Sequence, residues 1–114
     1  MRKKCVVSNS AGILAEHIQI AVTFFSRFMG LMGRRRLEEG EGLFLCGCSS
    51  IHCCFMRFPI DAVYLSDSLV ILGIETVRPW HIGRIIPHTR HVLELREGAA
   101  KQLAVGQTLT MKEW

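Results

Sequence analysis

Short apolar runs, each bounded by turn-forming residues, are the feature that most constrains the fold of this chain. Residues 60–65 and 69–77 are two such runs, and the polar residues Ser66, Asp67 and Ser68 join them. A tight polar connection between two apolar runs favours a hairpin. Residues 69–74 are continuously apolar, which is typical of a strand covered on both faces. The sequence therefore predicts a β-hairpin over residues 60–77.

The same pattern recurs along the chain and predicts a mainly β fold. Further strands are predicted over residues 3–7, 13–20, 42–46, 53–57, 92–95 and 107–111. Residues 23–32 instead carry apolar side chains at helical spacing, with Thr23 as a cap and Gly33 after the last turn. Residues 97–104 can form a second short helix, and residues 78–89, which hold two prolines, are expected to form an irregular loop. Many short strands with one or two short helices imply a β-sandwich or barrel.

The length of the chain, 114 residues, is that of one domain, so we predict a single domain over residues 1–114. No apolar run approaches the roughly 20 residues of a membrane span, and membrane insertion is not expected. The first ten residues lack the apolar stretch of a secretory signal, so the expected location is cytoplasmic.

The charge pattern argues against a nucleic-acid partner. The formal net charge is +4, and the clearest basic run, residues 34–36, is followed almost at once by Glu38, Glu39 and Glu41. Mixed signs at this spacing are typical of a solvated turn. We therefore expect no binding of nucleic acid.

Four of the five cysteines fall between residues 46 and 54, beside a histidine. A set of Cys46, Cys48, His52 and Cys54 has the thiolate and imidazole groups that soft metals prefer. However, Cys46 and Cys48 are only one residue apart, and a second pair at zinc-finger spacing is missing. Free cysteines packed in a β core are therefore the favoured interpretation, and a soft-metal or thiol-based redox function is the alternative.

Five blocks occur in a fixed order along the chain: residues 30–34, 42–45, 50–52, 55–61 and 92–95. With these blocks the chain resembles the Domain of Unknown Function 192 family of small prokaryotic proteins, from about residue 18 to residue 109. The resemblance implies a compact β-sandwich of jelly-roll type. It implies no established reaction, since the family is named for lacking one.

The block over residues 55–61 contains the strongest candidates for a ligand site. Arg57 and Asp61 are its charged residues, and Asp61 either pairs with Arg57 or fixes a turn by bonding backbone groups. Alternatively, both are the polar groups of a pocket walled by apolar side chains. The candidate ligand-binding residues are His52, Met56, Arg57, Asp61 and Trp80.

No nucleophile, base and orienting group are marked together in the sequence, so an enzyme is not favoured. We predict a non-enzymatic accessory module that binds a small molecule or a protein partner and needs no cofactor. An enzyme with Asp61 as its base is the weakest of the hypotheses.

Overall fold

The computed structural model describes residues 4–9, 12–21, 37–48 and 58–113. These residues are mainly β, and none of them forms a helix. The predicted helix over residues 23–32 and the predicted strand over residues 53–57 lie outside the described residues. No part of the described chain is a helix long and apolar enough to span a membrane.

Seven strands form one sheet in the described part of the chain. In chain order they are β1 (Lys4–Asn9), β2 (Gly12–Ala21), β3 (Glu41–Cys46), β4 (Ile60–Leu65), β5 (Ile71–Val77), β6 (His91–Arg96) and β7 (Thr110–Glu113). The spatial order is β5-β4-β6-β3-β2-β1-β7. Neighbouring strands are antiparallel except β2 and β3, which are parallel. The mainly β prediction is therefore confirmed.

The hairpin predicted over residues 60–77 is present as β4 and β5. Ser66 closes it: its N–H donates to the Val70 carbonyl, its carbonyl accepts from Leu69, and its hydroxyl accepts from the Val70 N–H at 3.1 Å. A serine at the start of a tight connection stabilises the turn through these local bonds. However, β5 lies at one end of the strand order, and Leu72 and Ile74 are only partly buried.

Alternating side chains give the sheet two apolar faces. The Leu93 face carries Phe44, Val63, Leu65, Ile71, Leu93 and Leu95. The Tyr64 face carries Leu43, Leu45, Ile60, Ala62, Tyr64 and Val92. Full burial of a large apolar side chain contributes roughly 1.5–3 kcal/mol, so both faces contribute substantially to stability.

Residues 97–104 form consecutive turns, and the prediction of a short helix there is wrong. The N–H groups of Ala99, Lys101 and Leu103 donate to carbonyls three residues earlier. Gly98 has φ +91, outside the right-handed helical region, and its N–H donates to the side chain of Asp61. A long-range carboxylate thus takes the amides that a helix would have used.

Residues 78–90, here called the crossover segment, connect β5 to β6 as an irregular loop, as predicted. The segment runs beside the Tyr64 face. Ile86 packs against that face, and a Cβ built on Gly73 of β5 would lie 2.2 Å from Ile86 Cδ1. At its end, the Arg90 N–H donates to the Leu65 carbonyl at 2.8 Å. The segment therefore spans β4 from one end to the other.

Candidate functional site

Asp61 lies on β4 with its side chain buried, on the same face as Leu95, its partner in register. Its Oδ1 accepts the Thr76 hydroxyl at 2.8 Å. Its Oδ2 accepts the N–H groups of Gly98 at 2.9 Å and Ala100 at 3.1 Å. Three donors thus stabilise the carboxylate, and the carboxylate ties the turns after β6 to the β4–β5 hairpin.

A groove opens beside Asp61, between β5 and the turns after β6. Its volume is about 590 Å³, and it is lined by Asp61, Ile74, Glu75, Thr76, Glu97, Gly98, Ala100 and Lys101. We call it the Asp61 groove. Carboxylates outnumber the single lysine among its lining residues, and Ile74 and Ala100 supply apolar wall. Concave surfaces with a few convergent polar groups are the usual form of small-molecule sites.

A second, smaller groove lies on the other side of the same turns. Its volume is about 270 Å³, and it runs between residues 98–103 and the start of β2 at Gly12, Ile13 and Leu14. Gly98 and Lys101 line both grooves. The turns held by Asp61 therefore form the wall between two surface depressions.

Trp80 lies in the crossover segment, at the turn that follows β5. It is 69% exposed and has φ +66, and it is not among the residues that line the Asp61 groove. The same segment contacts the carboxylate of Glu75, which accepts the Arg84 N–H at 2.7 Å and the Tyr64 hydroxyl at 2.6 Å. Glu75 thus holds the crossover segment against the sheet while Trp80 faces outward.

Cys46 and Cys48 are both partly buried. Cys46 packs against the core on the Leu93 face, whereas Cys48 packs against the core on the Tyr64 face. Because these faces lie on opposite sides of the sheet, the two thiols do not point into a shared site. Within the described ranges, no group of three or more histidine, cysteine or acidic residues has a metal-binding arrangement.

The register places His91 directly opposite Cys46 across β3 and β6. The His91 Nδ1 accepts the Gly47 N–H at 3.0 Å, and its Nε2 lies 3.8 Å from the Asp67 carboxylate. The ring also lies 5.2 Å from the Phe44 ring. Since both ring nitrogens face other groups, the imidazole in this geometry is not oriented as a base toward the thiol.

Glu94 is a buried acid that sequence reasoning did not select as a site residue. It lies on β6, on the Tyr64 face, between Ala62 and Leu43 on the neighbouring strands. Burial raises the pKa of its carboxyl to about 8, because desolvation disfavours the charged form. The signal available in the sequence is a single charged residue inside the otherwise apolar run of residues 92–95.

Glu94 and Glu75 are in register with the same residue of β4, Ala62. Ala62 pairs with Glu75 on one side and with Glu94 on the other, so both acids face the same way. Their α-carbons are about 10 Å apart, which is two strand spacings. Strongly perturbed acids are concentrated at functional sites, although structural acids also show such shifts.

Four of the residues selected from the sequence, His52, Met56, Arg57 and Cys54, lie outside the described residues. Their roles in ligand or metal binding stay predictions. Of the remaining candidates, Asp61 lines a groove, Trp80 lies on the crossover segment, and Cys46 and Cys48 lie on opposite faces.

Comparisons with known proteins support the blocks that were identified in the sequence. The family model described as "DUF192: Uncharacterized ACR, COG1430" matches residues 6–111. A UPF0127 protein of Thermococcus gammatolerans is 30% identical over 94 residues, which are 78% of this chain and 61% of that protein. A UPF0127 protein of Thermococcus sibiricus is 29% identical over 90 residues, which are 75% of this chain and 58% of that protein. The chain thus spans about three fifths of the length of these relatives.

A solved structure shows the same fold. A protein of unknown function from Novosphingobium aromaticivorans superposes with a TM-score of 0.81, over 94% of this chain and 83% of that chain. The two sequences are 19% identical, so this likeness concerns the fold alone. Because the family model spans nearly the whole chain, the protein belongs to the DUF192 family of uncharacterised proteins.

Proposed function

We propose that this protein is a non-enzymatic binding module and that it binds a small ligand in the Asp61 groove. The observation that carries this proposal is the convergence of Asp61, Thr76, Glu97 and Lys101 on one concave surface of about 590 Å³. A groove of this size accommodates a small molecule.

The charges of the groove favour a ligand with an ammonium or guanidinium group. Three acids line the groove against the single cation of Lys101. Glu75 is partly compensated by Arg84, so Asp61 and Glu97 carry most of the negative charge that a ligand would meet. Among the described residues, the Asp61 Oδ1 accepts only the Thr76 hydroxyl, while Oδ2 already accepts two N–H groups. A carboxylate oxygen has two lone pairs, so Oδ1 can accept one further donor from a ligand.

Three of the other predicted binding residues are assigned to the same site by this proposal. His52, Met56 and Arg57 precede Asp61 by at most nine positions in the chain, and we propose that they contribute to the same site. We further propose that residues 1–114 form a single domain of jelly-roll type in the cytoplasm. The continuous sheet supports the single domain, as do the bonds between residues 106–109 and residues 69–71, which link the start of β5 to the segment that leads into β7. The jelly-roll type rests on the family resemblance alone.

Titration by nuclear magnetic resonance tests the site with defined probes. Guanidinium and ethylammonium ions are added to the ¹⁵N-labelled full chain, and acetate serves as the anionic control. We expect both cations to shift the amide signals of Thr76, Gly98 and Lys101, and acetate to leave them in place. Shifts confined to residues outside the groove contradict the proposal.

A matched pair of variants separates the groove from general surface charge. Glu97→Gln removes a carboxylate that lines the groove, and Glu39→Gln removes an exposed one elsewhere. We expect Glu97→Gln to weaken cation binding several-fold and Glu39→Gln to leave it unchanged. Equal weakening by both variants indicates nonspecific attraction and refutes the groove.

A further inference from the structure

The crossover segment exposes three large apolar side chains within six residues. Trp80 is 69% exposed, Ile82 75% and Ile85 84%. Single apolar residues scattered over a protein surface are normal, whereas several exposed on one short segment make that segment a candidate interaction surface. These three account for most of the large exposed apolar side chains of the described chain; Ile13 and Val105 are the others.

The backbone of this segment is anchored to the sheet. Ile86 packs inward against Gly73, and the Arg84 N–H donates to the Glu75 carboxylate. The alternation of exposed Ile85 with partly buried Ile86 shows that the inward side serves the core. The outward side of the segment therefore projects from a fixed support.

The charge of the segment has one sign only. Residues 78–90 contain Arg78, Arg84 and Arg90 and no acidic residue. The Arg84 Nε lies 3.8 Å from the Glu75 carboxylate, which compensates part of its charge. Arg78 and Arg90 are exposed, one at each end of the segment. A partner that complements this surface therefore offers an apolar region that can bury these side chains, together with negative charge.

We propose that the crossover segment docks on an anionic lipid surface, with Trp80, Ile82 and Ile85 entering the headgroup region. Tryptophan and aliphatic side chains partition into this region, and arginines are attracted to anionic headgroups. A lipid surface suits this segment better than an acidic protein because its apolar side chains project outward. No residue of the segment lines either of the two grooves described above. The docking is peripheral and is independent of a ligand in the Asp61 groove.

Vesicle sedimentation of the full chain tests this surface. Vesicles of phosphatidylcholine with about 30% phosphatidylserine are compared with vesicles of phosphatidylcholine alone, at low and high salt. We expect partition into the anionic vesicles that falls steeply with added salt, and little partition into the neutral ones. Absence of binding to the anionic vesicles, or equal binding to both kinds, overturns the proposal.

Matched variants locate the contact. Ile82→Ser with Ile85→Ser should lower partition at least tenfold, whereas Ile13→Ser, which changes an exposed isoleucine elsewhere, should not. Arg78→Ala and Arg90→Ala should each lower it about fivefold. Arg96→Ala removes an exposed arginine outside the segment and is expected to have little effect. Circular dichroism verifies that each variant is folded, and equal losses in test and control variants refute the assignment.

Trp80 supplies a direct spectroscopic reporter. The chain has two tryptophans, so Trp114→Phe leaves Trp80 as the single fluorophore. Its emission should shift to shorter wavelength when anionic vesicles are added. Sedimentation with the vesicles but without such an emission shift shows that another surface of the protein binds them. Saturable binding to polyglutamate without binding to vesicles indicates an acidic protein partner. Either result overturns the proposal.

Discussion

Replacement of Glu94 by glutamine should make the stability of this protein much less dependent on pH. The Glu94 carboxyl is buried on the central strand β6, and burial raises its pKa from 4.5 to about 8. Its neighbours on the same face are apolar, Leu43 and Ala62 across the strands and Val92 along β6. The other charged groups on this face nearby are Glu75, across Ala62, and Arg96, two residues along.

The direction in which stability changes with pH follows from which state, folded or unfolded, keeps the Glu94 proton. An acid whose pKa is raised in the folded state contributes most stability below its unfolded pKa, near 4.5. That contribution falls as the pH rises, because the unfolded chain ionises while the folded chain keeps its proton. The loss is complete only above the folded pKa, near 8.

The magnitude follows from the same two pKa values. One pKa unit corresponds to about 1.4 kcal/mol, so the free energy of unfolding should fall by roughly 2–3 kcal/mol between pH 5 and pH 7 through this group alone. About 1 kcal/mol more should be lost by pH 9. Glutamine has a similar shape and does not ionise, so the difference in unfolding free energy between the Glu94→Gln variant and the native protein should grow by these amounts.

Urea unfolding followed by far-ultraviolet circular dichroism at pH 5, 6, 7, 8 and 9 measures this difference. Glu39→Gln, at an exposed site, is the control and should run parallel to the native protein at every pH. Parallel curves for Glu94→Gln and the native protein would show that Glu94 is ionised in the folded state, and the reasoning from burial would then be wrong.

Three further changes test the packing of the sheet. Asp61→Ala removes a carboxylate that accepts the N–H of Gly98 and two other donors. Because buried amides lose a charged partner, the free energy of unfolding measured by urea titration should fall by about 3 kcal/mol. A loss below about 1 kcal/mol contradicts this role. Gly73→Ala places a Cβ 2.2 Å from Ile86 Cδ1, so the single substitution should destabilise the protein. Combined with Ile86→Val, which shortens the opposing side chain, it should destabilise the protein less. A double-mutant cycle followed by thermal unfolding measures this difference. Tyr64→Phe removes the 2.6 Å hydrogen bond to Glu75 and should lower the free energy of unfolding by about 1 kcal/mol. An unchanged midpoint of urea unfolding would show that water solvates the hydroxyl equally well in the unfolded chain.

Local patterns predicted the strands well where their signals were strong. The bounds of β4, Ile60–Leu65, coincide with the predicted ones because Pro59 precedes the strand and Ser66 follows it. The predicted β3 differs from Glu41–Cys46 by one residue. Alternation and turn residues act over a few positions, so a single sequence is enough to read them.

Other features depended on contacts between distant segments. Residues 97–104 have no strong local breaker apart from Gly98, and the sequence favoured a helix there. The turns form instead because the Asp61 carboxylate, more than thirty positions earlier, accepts the Gly98 and Ala100 amides. Such a bond has no local signature, since it depends on β4 and β6 being neighbours.

The sequence by itself determined the mainly β character, the hairpin at residues 60–77, the irregular crossover segment and the family. The last strand is displaced, since residues 107–111 were predicted and β7 is Thr110–Glu113. Only the tertiary structure decided the strand order, the parallel pairing of β2 with β3, and the face on which each chemical group lies. It separated Cys46 from Cys48 and placed Glu75 and Glu94 on either side of Ala62. The physical reason is that alternation along a strand shows that the strand has two faces, but not which strands lie beside it. Strand pairing is made by backbone groups, and these are alike in every residue.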